Sequence, residues 1–194
     1  DFSCQPGERI LLLGQSGTGK TTLLHLLCGM LKAQSGTLHV AGQDLRAASD
    51  RELDTWRGQA LGVVFQRAHF VQSLTIQENL ALPHQLTQGR VPSEVLERMG
   101  SMLDRLGMAH RAEARPHELS VGEQQRASIA RALLHKPQVV FADEPTSALD
   151  DHNAAAVMDI LDREAAEATL VVVTHDQRLK DRYPHCVTLN PTRS

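Results

Sequence analysis

Residues 14–21 read GQSGTGKT, which places two glycines, a lysine and a threonine at the spacing G-x-x-x-x-G-K-[ST]. Each residue type in that pattern has a physical use. The glycines let the backbone wrap closely around phosphate oxygens with its N–H groups pointing inward. Lys20 would reach the β- and γ-phosphates, and the Thr21 hydroxyl would bind Mg²⁺. Gly14, Gln15, Ser16, Gly17, Thr18, Gly19, Lys20, Thr21 and the adjoining Thr22 are therefore the candidate ligands of a nucleoside triphosphate. With glycine at about 7% of typical residues, chance alone produces this pattern in roughly 1% of chains of this length. Context must support it. The apolar run RILLL leads in and the helix-forming TTLLHLL leads out, and the helix N-terminus adds partial positive charge facing the phosphates.

A second constellation points the same way. Val139–Ala142 is followed directly by Asp143 and Glu144. Acidic residues immediately after a buried strand stand at the carboxyl edge of the sheet, where open α/β folds bind their ligands. Asp143 would hold Mg²⁺, and Glu144 would polarise an attacking water. Taken alone, an Asp-Glu pair is an ordinary solvated strand end; the phosphate loop turns it into half of a hydrolytic site. Ser120 and Glu123 form S-x-x-E, a capping box at a helix start, and a capped helix N-terminus with free N–H groups is an anion site.

These groups need a scaffold. Short apolar runs at Arg9–Leu13, Leu61–Phe65, Val139–Ala142, Leu170–Thr174 and Cys186–Leu189 alternate with helical patterns, the signature of a largely parallel α/β sheet. ILLL, VVFA and LVVV are apolar throughout, as strands covered on both faces should be. Helices are expected at Lys20–Met30, Ser93–Leu106, Ser120–Leu134 and Ala154–Ala166. In the second of these, Leu96, Met99, Leu103 and Leu106 fall at helical spacing, and in the third Ile129, Ala130, Leu133 and Leu134 share a stripe. Thr37–Leu45 reads as a strand and turn, and the stretch 67–115 as a helical insertion between sheet strands. The expected fold is thus α/β, with a mostly parallel central sheet, a small antiparallel β portion and a helical subdomain. A length of 194 residues fits one such domain, with 1–66 and 116–194 as its core.

Composition narrows the partners. Twenty basic residues against twenty-three acidic ones give a net charge of −3, which does not mark nucleic acid or an anionic membrane surface as the main partner. The three cysteines, Cys4, Cys28 and Cys186, lack metal or disulfide spacing and fit buried small residues in a reducing compartment. No apolar run reaches the length of a membrane span, and the first residues carry no signal-peptide pattern.

The order of motifs resembles that of the ATP-binding cassette (ABC) ATPases. LSVGEQQR at 119–126 stands upstream of FADEP as the family's LSGGQ-type signature does. Gln66, closing VVFQ, matches the Q-loop; Ser147–Asp150 matches the D-loop; His175, after LVVVT, matches the switch histidine. The segment GQALGVVFQRAHFVQSLTIQENLALP further resembles the ATPase subunits of macrolide-export and lipoprotein-releasing transporters. The resemblance implies ATP as the nucleotide, Mg²⁺ as its metal, and a cytoplasmic ATPase subunit that works as a homodimer or beside a paired cassette. It would dock on an integral membrane permease through the helical subdomain, at the inner face of the cell membrane. Ser120 and Gly122 would contact the γ-phosphate held by a partner subunit. His175 would hydrogen-bond the γ-phosphate and orient the water, Gln66 would contact Mg²⁺ or water, and Asp150 would line the dimer interface.

Two departures qualify it. Val121 stands where the signature has its first glycine, and a β-branched side chain neither adopts φ > 0 easily nor allows close backbone approach. The family's adenine-stacking aromatic lies well upstream of the phosphate loop, whereas Phe2 is only twelve positions before Gly14. Phe2 is expected instead in the core beside the Pro6-Gly7-Glu8 turn, with the chain read as truncated at its front. Two alternatives follow: a nucleotide switch with little turnover, and a P-loop kinase. The signature and switch histidine disfavour the kinase.

Overall fold

Leu11 and Leu13 face one side of their strand while Ile10 and Leu12 face the other, and all four are buried. Such a strand needs helices on both faces, and the fold supplies them. The structure, a computed structural model, describes residues 3–15, 17–183 and 185–189, with Thr87 described by its backbone alone. Ser16 of the phosphate loop and Phe2 lie outside the described residues.

The strands β1 (Arg9–Gly14), β4 (Leu61–Val64), β5 (Val139–Asp143), β6 (Thr169–Thr174) and β7 (His185–Leu189) form one sheet in the order β4-β5-β6-β1-β7. Every pairing in it is parallel. The register aligns Asp143 with Val173 and Leu13 with Thr174. The end of β1, the Asp143–Glu144 step and the start of the His175 loop therefore share one edge. The two short strands β2 (His39–Val40) and β3 (Gln43–Asp44) make the small antiparallel sheet. Their turn places Ala41 and Gly42 at φ 47° and 76°, the pair of positive angles that a tight two-residue hairpin requires.

On one face, α1 (Lys20–Leu27) and α2 (Asp50–Ala60) pack Leu24, Leu27, Leu53 and Trp56 against Ile10, Leu12, Phe141 and Val173. On the other, α5 (Val121–Leu133) and α6 (Asp151–Glu164) pack Ile129, Leu133, Met158 and Leu161 against Leu11, Val140 and Val172. The helices α3 (Ile76–Gln88) and α4 (Ser93–Arg105) of the insertion continue this second core.

The expected helices form, with shifted ends. α1 stops at Leu27, where Gly29 at φ 64° turns the chain out of the helix. α6 starts at Asp151 because Asp150 caps it, accepting from the Asn153 N–H at 2.9 Å. The stripe of α4 is rotated from expectation: Leu96 is exposed, and Val95, Met99, Met102 and Leu103 are buried. Helix α2 was not anticipated, although Ser49 and Glu52 close a full capping box at its start. Of the insertion's apolar residues, Phe70 and Leu80 are core, while Val71 is exposed.

Gly62 of β4 marks where the sheet is pressed hardest by a helix. A Cβ there would overlap the Ala132 carbonyl oxygen of α5 and lie 3.0 Å from Pro137 Cγ. Gly62→Ala should therefore destabilise the protein by about 1–3 kcal/mol, the usual cost of overpacking. Urea unfolding measures it, and an unchanged midpoint would show that β4 and α5 can separate at no cost.

Candidate functional site

Gly14 ends β1 at a crossing of chains. A Cβ on it would lie 2.5 Å from Thr18 Oγ1 and 3.2 Å from the Leu189 carbonyl oxygen, so the loop can fold back over the strand only with glycine here. Gly17 and Gly19 have φ of 82° and 86°, which other residues adopt at a cost. Gly19 caps α1 with no side chain bonded to the helix start. The first N–H groups of α1 are left for a ligand, which is the arrangement a phosphate needs.

Lys20 is buried, and its Nζ is held by the loop itself, donating to the carbonyls of Gly14 at 2.7 Å and Gln15 at 2.9 Å. Its nearest carboxylate is Glu144, with Oε1 at 3.6 Å. Thr18 donates its hydroxyl to the Gln15 carbonyl at 2.9 Å. The exposed hydroxyls of Thr21 and Thr22 border an open cleft of about 450 Å³. The same cleft is lined by Lys20, Gln66, Glu144 and His175.

Glu144 is the most constrained residue of the site. It leaves β5 in the left-handed region, at φ 47°, a strained conformation for a non-glycine residue. Its N–H donates to the Val173 carbonyl at 2.7 Å. One carboxylate oxygen accepts from the Thr174 hydroxyl at 2.8 Å and from the His175 N–H at 3.3 Å. The other pairs with His175 Nδ1 at 2.8 Å. Thr174 was not among the residues singled out from the sequence; its only signal was its place as the last strand residue before His175.

Asp143 lies behind this pair. It is buried, and its Oδ1 has no hydrogen-bond partner among the described residues. Burial pushes its carboxyl above the ordinary value and the neighbouring Glu144 charge adds to that, while His25 and Lys20 act in the opposite sense. A buried, unpartnered carboxylate oxygen suits a small hard cation, and Thr21 and Gln66 line the cleft that Glu144, the next residue, also borders. Mg²⁺ accepts one or two protein oxygens and completes its shell with water and phosphate.

Ser120 and Gly122 stand apart from this cleft. Ser120 caps α5, accepting from the Glu123 N–H at 3.3 Å, and Glu123 accepts in turn from the Ser120 N–H at 2.8 Å. That backbone bond is the main cause holding the Glu123 carboxyl at about 2, against burial and with help from Arg111, whose Nε lies 2.9 Å away. Val121 is the first helical residue of α5 and is not among the positive-φ residues. Its backbone is helical here, and its side chain is exposed at the helix start, where close backbone approach would meet it. Gly122 has no crowding inside the chain: a Cβ would meet only Arg126 Nη1 and Asn153 Oδ1, both at 3.8 Å. Asn153 belongs to the α6 cap held by Asp150, so the two helix starts adjoin.

Residues 1–147 match the model of the ABC transporter family. The chain belongs to that family. Among its relatives is the lipoprotein-releasing system ATP-binding protein LolD of Idiomarina loihiensis, 42% identical over 94% of this chain and 80% of the relative. The pyoverdine export ATP-binding/permease protein PvdT of Pseudomonas entomophila is also 42% identical, over 93% of this chain and 28% of that longer protein. Among solved structures, a dimeric ATP-binding cassette in a post-hydrolysis state bound to ADP and Pi superposes with a TM-score of 0.86. It is 31% identical, over 97% of this chain and 84% of the other. The chain is thus an ATP-binding, ATP-hydrolysing cassette of the transporter class, with the ABC ATPase fold that the order of its motifs implied.

Asp143 gives this cassette a testable pH signature. Because its carboxyl is raised in the folded state, the ionised form costs stability. The cost is present at neutral pH and disappears as pH falls toward the ordinary value of 3.8. Asp143→Asn should therefore make the nucleotide-free protein more resistant to urea at pH 7.5, with the difference narrowing towards pH 4. A variant that is less stable than the parent at neutral pH would overturn this account.

Proposed function

We propose that this chain is the engine of a membrane transporter, binding Mg-ATP in the loop Gly14–Thr21 and hydrolysing it only when paired head to tail with a second cassette. The observation that carries the proposal is the convergence of Lys20, Glu144 and His175 on one cleft at the carboxyl edge of the sheet. On nucleotide entry Lys20 exchanges the Gly14 and Gln15 carbonyls for phosphate oxygens. The amides of the loop and of the α1 start take the remaining phosphate charge. Thr21, Asp143 and Gln66 would hold Mg²⁺, which supplies charge neutralisation at the β- and γ-phosphates when bound. Glu144 takes a proton from the water as that water attacks the γ-phosphorus and the bond to the bridging oxygen breaks. His175, its Nδ1 fixed on Glu144, turns its other ring nitrogen toward the γ-phosphate.

Ser120 and Gly122 are not among the residues lining the cleft, and among the described residues a Cβ at Gly122 would meet only Arg126 Nη1 and Asn153 Oδ1, both at 3.8 Å. Both are accounted for if the α5 start closes on the γ-phosphate of a partner, in a homodimer or with a paired cassette. The segment 67–115 would be the helical subdomain that docks on an integral membrane permease. Among the described residues no helix is long and apolar enough to cross a membrane, and membrane attachment would come through that permease on the cytoplasmic side. The relatives' printed functions, lipoprotein release and pyoverdine export, favour extraction or export over uptake.

Glu144→Gln tests the chemistry. It should lower steady-state ATPase by about 10²-fold or more, and Mg-ATP should convert the variant to a dimer in gel filtration. A variant that hydrolyses like its parent would remove Glu144 from the mechanism. The second reading is a nucleotide switch with little turnover, which rests on Val121. A parent without ATPase activity in the presence of its permease would favour it.

Val121 should slow the composite site by holding the α5 start away from phosphate. Val121→Gly is expected to raise turnover severalfold, on the order of 1 kcal/mol of improved closure. Equal rates for the two proteins would show that the side chain does not obstruct.

A further inference from the structure

We propose that Thr174 is a positioning residue for hydrolysis: its hydroxyl fixes the carboxylate of Glu144 in the orientation from which it can accept the proton of the attacking water. This rests on the reading of Glu144 as general base given above.

The argument starts from strain. Glu144 stands in the left-handed region at φ 47°, and a non-glycine residue stays there only if its surroundings over-determine it. The backbone bond from its N–H to the Val173 carbonyl fixes the main chain. It does not fix the side chain, whose rotatable bonds would otherwise let the carboxylate swing. That second constraint comes from Thr174, the last residue of β6, which is fully buried.

The hydrogen bonds around the Thr174 hydroxyl set its direction. A hydroxyl has one proton to donate. Thr174 Oγ1 accepts the Asp176 N–H at 3.0 Å and lies 2.8 Å from Glu144 Oε2. With the Asp176 amide occupying an acceptor position, the proton is left for Glu144. The His175 N–H reaches the same carboxylate oxygen at 3.3 Å. Both donors to Oε2 therefore come from the end of β6 and neither can follow a moving carboxylate. Oε1 is left toward the cleft, in contact with His175 Nδ1 and 3.6 Å from Lys20 Nζ. The carboxylate is divided into an anchored oxygen and a working one.

A purely structural role would be simpler: a buried hydroxyl finding partners to offset its own desolvation. The two roles differ in what they move. An anchor for Glu144 affects kcat and leaves ATP binding and pairing intact. A structural hydroxyl affects stability and the folded fraction, and with them every activity together.

The experiment uses the full chain with its permease and compares Thr174→Val, Thr174→Ser and Glu144→Gln. Thr174→Val should lower kcat by about 10- to 100-fold, the loss that a misplacement of about 1 Å produces. Its KM for ATP should stay within about twofold, as expected when only transition-state interactions are removed. Thr174→Ser keeps the donor and should restore most of the rate. Thr174→Val combined with Glu144→Gln should form the Mg-ATP dimer as readily as Glu144→Gln alone. Parental kcat in Thr174→Val, equal loss in the Val and Ser variants, or failure of the double variant to pair would each overturn the inference. If Thr174→Val does not fold, Thr174→Cys, a weaker donor, takes its place with the same expected direction, and parental kcat in it would count against the proposal. Parental turnover in Glu144→Gln would instead overturn the general-base reading, so the two failures are distinguishable.

Discussion

Holding charge away from water at one edge of a sheet is the constraint around which this molecule is organised. Lys20, Asp143 and Glu144 all lie at the carboxyl ends of β1 and β5, and all are largely screened from solvent. Two carboxylates adjoin one ammonium: Glu144 Oε1 lies 3.6 Å from Lys20 Nζ, and Asp143 feels both charges. Among the described residues Asp143 keeps an oxygen with no partner, and Lys20 donates to two carbonyls of its own loop with Glu144 beside it. These arrangements are costly, and the protein holds them because the parallel sheet leaves the strand ends no freedom to move. Strands covered on both faces by α1, α2, α5 and α6 supply that rigidity. On the proposed reading, a metal ion would answer the orphaned carboxylate and phosphate would replace the carbonyls around Lys20. Ligand binding would then complete interactions that folding leaves unfinished.

Much of this was legible in the residues. GQSGTGKT between an apolar run and a helix could be read because each glycine answers a backbone requirement that the structure shows, from the crossing at Gly14 to the positive φ of Gly17 and Gly19. ILLL, VVFA and LVVV became the three central strands because continuous apolar character has no use in a half-exposed strand. What escaped had physical reasons. Helix α2 is mostly polar, with only Leu53, Trp56 and Ala60 buried, so its apolar signal is thin. Leu96 misled because Leu at helical spacing fits two neighbouring stripes, and packing against α5 chose the one through Val95 and Met99. The left-handed Glu144 and the hydroxyl of Thr174 could not be read at all, since they depend on register between β5 and β6 rather than on local sequence.

The start of α5 shows the opposite economy from the catalytic cleft. Ser120 and Glu123 satisfy each other, Arg111 neutralises Glu123, and the carboxyl stays ionised to about pH 2. The cap itself is complete, yet a Cβ at Gly122 would meet only Arg126 Nη1 and Asn153 Oδ1 at 3.8 Å, and Val121 is exposed. A finished helix start with unused room around it is a surface prepared for something outside the chain, whereas an unfinished cleft is one prepared for a ligand within it. If the α5 start is the second half of a shared nucleotide site, as proposed, the difference fits one half that binds nucleotide and another that closes on it.

α5 also carries the contacts by which the cleft and the insertion can affect each other. Near its far end, Arg131 donates to the His69 carbonyl at 2.5 Å and sits 4.7 Å from the centre of the Phe70 ring. That grips the segment directly after Gln66. Asn79 at the start of α3 then binds the Val71 backbone through both its amide oxygen and nitrogen, and reaches the Leu74 and Thr75 carbonyls as well. The stretch from Gln66 to Thr75 is thus tied to α3 on one side and to α5 on the other. A displacement of Gln66 that follows the state of the nucleotide would have to move His69 and Phe70, and those residues are fastened to the helix whose other end presents Ser120. Contiguous packing of this kind is a physical route for coupling rather than proof of it. Its significance lies in where the ties fall: they join the cleft residue contributed by the Gln66 loop to the helix that begins at Ser120, outside the cleft.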